Sequence, residues 1–96
     1  MLLENLILRP QEIPTDHPNS RYFFTSQPFV ATPAALRAYG QEVILICLRY
    51  LQRQAKLYNG LDYLQVFQDL KGDRPDLWFI DNGEGEGTIA LLPEDY

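Results

Sequence analysis

From Thr32 to Gly60 the apolar and polar positions follow a helical rhythm, and the remaining segments read as shorter pieces around this stretch. Leu36, Val43, Cys47, Tyr50 and Tyr58 recur at helical spacing, while Ile44, Leu45, Ile46, Leu48 and Leu51 fill most of the remaining circumference around the middle. Thr32 is a good N-cap, and Pro33 suits the first helical position because its missing N–H costs nothing there. Asn59 and Gly60 tolerate the left-handed backbone that ends a helix. These signals predict one helix over residues 33–59, about 26 residues and roughly 40 Å long at 1.5 Å per residue. Gly40 interrupts it at a cost of about 1 kcal/mol relative to alanine, implying close approach of another backbone or a slight bend. A helix apolar on so many sides is buried on more than one of them, with Val43 and Ile46 read as core positions.

The flanking segments change period. R-Y-F-F-T-S (21–26) is aromatic and β-prone, a strand with Tyr22 and Phe24 on one face and Phe23 and Thr25 on the other. Residues 27–31 then lead into the helix. In residues 61–68, Leu64 and Val66 share one face while Leu61, Tyr63 and Phe67 share the opposite one, which places this strand inside a sheet. K-G-D-R-P-D (71–76) is a turn. Residues 77–81 and 88–92, separated by N-G-E-G-E-G, predict a terminal antiparallel hairpin with Asn82-Gly83 as its turn signal. Residues 2–8 fit either a short strand or a helical turn, and the three prolines of residues 9–20 make an extended surface connector. The expected fold class is α+β, one long helix packed on a small, mainly antiparallel sheet. A single domain spans residues 1–96, with 1–20 as N-terminal segment and Pro-rich connector and 21–96 as the α+β core.

Composition narrows the function. A net charge of −5, from 13 acidic and 8 basic residues, disfavours non-specific nucleic-acid binding, whose affinity rests on phosphate neutralisation. Arg49, Arg53 and Lys56 form the basic cluster, on the helix. The single cysteine, Cys47, excludes an intramolecular disulfide and a cysteine-based zinc site, and its apolar surroundings make it a small core side chain. The N-terminus lacks the basic region and cleavage site of a secretory signal, and no apolar run reaches the roughly 18 residues of a membrane span, so a cytoplasmic address is expected.

Candidate chemistry is sparse. His17 stands alone in the connector, and no nucleophile elbow, metal-ligand spacing or phosphate loop is present. Gly83, Gly85 and Gly87 imitate a phosphate cradle, but the intervening glutamates supply the wrong charge and no helix is expected after them. Asp81, Glu84 and Glu86 do not match an EF-hand loop, because glycines take the alternate donor positions. No catalytic residue, metal or cofactor is expected, and the chain reads as a non-enzyme.

R-Y-F-F-T (21–25), the single helix, L-D-Y-L-Q-V-F (61–67) and F-I-D-N-G-E-G-E-G-T-I-A-L-L-P-E-D-Y (79–96) together resemble the staphylococcal-type family of unknown function, domain of unknown function 960. The resemblance covers about three quarters of the chain. It implies an α+β fold and a bacterial or mobile-element origin; the family has no assigned activity, so no functional residue is carried over. The family's Q-E-x-P strand is missing between the last two motifs, although Q-E-I-P occurs at residues 11–14.

A non-catalytic protein-interaction module is therefore expected, with a protein partner or a second copy docking on the helix side that the sheet leaves open. Tyr39, Ile46, Arg49, Tyr50 and Arg53 are the candidate contacts, tyrosine and arginine being the types that dominate interface energetics. Residues 2–8 folding back would cover the same side. The alternatives are a nucleic-acid-associated regulator of a bacterial or mobile-element operon, contacting through Arg49, Arg53, Lys56, Tyr22 and Phe23, and a small enzyme.

Overall fold

Capping decides where the helical region starts and stops. In the computed structural model, which describes residues 6–9 and 21–96, Thr32 Oγ1 accepts the Ala35 amide at 3.1 Å, with Pro33 in the first turn. Asn59 closes the far end in the left-handed region, at φ 57° and ψ 44°. Between them stand two helices rather than one, α1 (Pro33–Tyr39) and α2 (Gln41–Tyr58).

Gly40 separates them at φ 80° and ψ 154°, a backbone that glycine alone adopts readily. A Cβ there would meet nothing within 4 Å, so the glycine serves conformation and not the close approach of another backbone. The break shifts the apolar phase. Ala35 and Tyr39 are buried four residues apart, Ile44 follows after five, and Cys47, Leu48, Leu51 and Ala55 resume helical spacing. A straight helix would have turned Val43 and Ile46 inward; both are only half-buried.

Among the described residues the sheet has five strands: β1 (Leu6–Leu8), β2 (Phe29–Ala31), β3 (Leu64–Asp69), β4 (Leu77–Asp81) and β5 (Thr88–Leu91), in the order β1-β3-β4-β5-β2. β2 runs parallel to β5 and the other pairs are antiparallel. The fold is α+β. The terminal hairpin β4–β5 and the interior place of β3 agree with the sequence reading, and residues 6–8 take the strand alternative.

Residues 21–26 depart from it. They contribute a single bridge, Tyr22 to Leu61, because Phe24 has a φ of 58° and cannot continue an extended pleat. β2, formed from the residues read as a lead-in to the helix, joins the sheet instead. Residues 10–20 of the connector, with His17 and Q-E-I-P, lie outside the described residues.

The register sorts side chains between two faces. Leu6, Phe67, Leu77, Phe79 and Ala90 meet Ile44, Cys47, Leu51 and Ala55 of α2 in one core, each large side chain contributing about 1.5–3 kcal/mol by burial. Phe67 and Phe79 meet edge to face at 5.6 Å. On the other face Val66 lies opposite Trp78, and Ile80 opposite Ile89, with Tyr96 set edge-on to Trp78 at 5.5 Å. Among the described residues no helix is long and apolar enough to cross a membrane.

Candidate functional site

The outer side of α2 and the arm formed by residues 21–26 enclose an open groove of about 780 Å³. Ile46, Arg49, Arg53 and Lys56 line it at spacings of three, four and three residues, which is one stripe of a helix. Phe23 and Thr25 line it from the arm and Gln52 from the helix. A smaller hollow, lined by Gln41, Glu42, Leu45, Ile46 and Arg49, shares Ile46 and Arg49 with it, so the surface continues towards the N-terminus of α2.

The arm holds its shape through Phe24. A left-handed phenylalanine costs roughly 1–2 kcal/mol, and three contacts offset this. Its ring is fully buried, its amide donates to Asp81 Oδ2 at 3.0 Å, and its carbonyl accepts Gln52 Nε2 at 2.9 Å. Tyr22 and Leu61 exchange both backbone hydrogen bonds at 2.9 Å, which fixes the arm's start. Phe24 goes into the core while Phe23 and Thr25 line the groove.

Charge is the second property of this surface. None of the described residues lining the larger groove is acidic, and Glu42 lies in the adjoining hollow beyond Ile46. Among the described residues, the side chains of Arg49, Arg53 and Lys56 make neither a hydrogen bond nor an ion pair. Lys56, in the last turn of α2, gains from the helix dipole; Arg49 stands more than two turns from that end and gains little. Three cations thus rim Phe23 and Ile46 in an acidic protein.

The expected contact residues divide between two places. Ile46, Arg49 and Arg53 come together in the groove. Tyr39 does not join them: it is 6% exposed, its hydroxyl donates to the Pro75 carbonyl, and the Arg74 guanidinium lies over its ring at 4.5 Å from the centroid. Burial pushes its pKa up to about 12, against the lowering effect of Arg74. Tyr50 is half-buried and meets Phe67 edge to face at 6.3 Å, so it faces the sheet. Tyr22 packs edge-on against Tyr63 rather than lining the groove. Thr25 and Gln52 escaped the sequence reading, although Thr25 shares strand parity with Phe23 and Gln52 lies three residues from Arg49.

Other polar groups have structural duties. Both carboxylate oxygens of Asp81 are used, by the Phe24 and Gly83 amides. Cys47 is fully buried, and burial pushes its thiol up to about 12, far from a reactive thiolate. Among the described residues no group of three or more His, Cys, Asp or Glu side chains is placed to hold a metal ion. Compared with known proteins, the chain matches no family model, no curated protein and no solved structure.

Proposed function

We propose that the chain is a non-catalytic protein-interaction module whose docking surface is the groove between α2 and the 21–26 arm. The observation that carries this is the placement of Arg49, Arg53 and Lys56, unpaired among the described residues, around the apolar pair Phe23 and Ile46. An apolar centre with an arginine-rich rim is the make-up of a protein-binding patch. Among the described residues, the two side chains whose pKa values rise, Tyr39 and Cys47, are both in the core and away from the groove, which weighs against catalysis there. A cytoplasmic address is part of the same proposal, and the free, buried Cys47 is compatible with it.

One observation favours a nucleic-acid reading: an aromatic ring beside three cations also suits a base stacked on Phe23 with its phosphate on an arginine. The net charge of −5 and the single aromatic ring among the described lining residues weigh against it. A photo-crosslinking amino acid at Thr25, which is exposed and lines the groove, with a control at Tyr58, separates the two in the native host. Adducts at Thr25 alone that resist nuclease and yield to protease support a protein partner. Nuclease-sensitive adducts, or equal labelling at Tyr58, overturn it.

A further inference from the structure

Resting on that interaction-module reading, we propose that the groove takes an acidic, extended segment of another protein, in which one apolar side chain is accompanied by carboxylates at alternate positions. The spacing comes from the helix. Four residues separate Arg49 from Arg53, about 6 Å along α2, and alternate residues of an extended chain are about 6.6 Å apart. One face of an extended segment laid along α2 therefore sets successive carboxylates against successive arginines, and Lys56 receives a third or the end of the run.

The apolar residue belongs at the other end of the stripe. Ile46 lies one turn before Arg49, and Phe23 lines the groove from the arm, so an aliphatic or aromatic side chain is enclosed between helix and arm. From Ile46 to Lys56 is roughly 15 Å, room for four or five extended residues. Gln52 donates its amide nitrogen to the Phe24 carbonyl, which leaves its side-chain oxygen to accept a main-chain N–H from the segment. The selectivity follows from charge: an acidic segment meets a rim with no described carboxylate, and a basic one meets three cations.

The test uses the full chain and a fluorescein-labelled synthetic peptide carrying one leucine and two glutamates at alternate positions, read by anisotropy. Expected is binding at least about tenfold tighter than that of the glutamine-for-glutamate peptide, falling severalfold between about 50 and 300 mM salt. Arg49→Glu with Arg53→Glu abolishes it with unchanged thermal melting at these two exposed positions, Arg53→Lys retains part, and a leucine-to-alanine peptide weakens it, as does Phe23→Ala, whose half-buried ring also packs against the core and whose folding is checked by circular dichroism. Equal binding of the glutamine peptide overturns the acidic class while leaving an interaction module in place. A single-stranded oligothymidylate that binds more tightly and competes overturns both. Self-association of the chain that is lost in Glu84→Lys with Glu86→Lys, and that the peptide competes away, makes a second copy the occupant and overturns the assignment to another protein.

Discussion

The carboxylate of Asp81 accepts the Phe24 amide at 3.0 Å across 57 residues of chain, and its second oxygen accepts the Gly83 amide at 2.8 Å. One side chain, 4% exposed at the end of β4, thus fixes both the turn of the terminal hairpin and the arm that walls the groove. Asp81→Asn keeps the shape but offers a single acceptor oxygen to two amides. Leaving one N–H unpaired costs about 1–3 kcal/mol, and in a domain of this size each kcal/mol lowers the melting temperature by about 4–8 °C. Thermal unfolding of Asp81→Asn is expected to show that drop, and an unchanged melting temperature would mean that the carboxylate does not hold the arm.

Gly40 and Gly87 are both left-handed, for different reasons. Gly40 stands in open space, so Gly40→Ala is penalised by backbone conformation alone, about 1–3 kcal/mol. At Gly87 a Cβ would lie 2.3 Å from the Pro28 carbonyl oxygen, so strain and a clash with backbone combine. Urea unfolding should rank Gly87→Ala as the more destabilised of the two. The reverse order would refute the steric account of the close approach between Gly87 and Pro28.

Local chemistry made part of this fold legible. The caps at Thr32 and Asn59 and the β4–β5 hairpin are set by residues close in sequence. Phe24 reads as strand because the groups that hold it left-handed, Asp81 and Gln52, lie 57 and 28 residues away. The same distance hid Tyr39, whose partners Pro75 and Arg74 come from the turn after β3. The stripe of Ile46, Arg49 and Arg53 was readable as one helical face. The wall opposite it was not, since nothing local says that Phe23 lines a groove with α2. At Gly40 the five-residue gap from Tyr39 to Ile44 was present in the sequence, but apolar residues at every position from 43 to 48 masked it.

Stability should fall at both pH extremes for identifiable reasons. Cys47 and Tyr39 are held neutral in the fold, with pKa values raised from 9.0 and 10.0 to about 12. The unfolded chain releases these protons first, so the contribution of these two groups is level below about pH 9 and declines from there towards pH 12. The native thiol should resist a thiol reagent at pH 8 and react fully in denaturant; rapid native labelling would show that Cys47 is accessible. On the acid side, burial pushes Asp69 up, but hydrogen bonds from Arg74 and from the Lys71 amide outweigh it and hold the carboxyl below the usual range. Hydrogen bonds from the Leu92 amide and the Thr32 hydroxyl do the same for Asp95. Their contribution is present above the ordinary carboxylate pKa and is lost as pH falls below it, so Arg74→Ala should flatten the acid limb of a melting-temperature profile.

Ile44 and Ile46 lie two residues apart on α2 and belong to different surfaces. Ile44 is 1% exposed within the core cluster, whereas Ile46 is half-buried and lines the groove beside Arg49. A carboxylate introduced at Ile44 has no partner and no water, and its cost of several kcal/mol takes most of a typical stability of 5–15 kcal/mol. Ile44→Asp is therefore expected to unfold at room temperature. A carboxylate at Ile46 reaches solvent and sits one turn from a cation, so Ile46→Asp should stay within about 1 kcal/mol of the parent and retain the same far-ultraviolet circular dichroism. Acidic-peptide binding should nevertheless be lost, because the new charge repels the ligand and removes its apolar contact. Equal unfolding of both variants would place Ile46 in the core, close the groove at its apolar end and remove the docking surface. A folded Ile46→Asp that still binds would move the apolar anchor elsewhere.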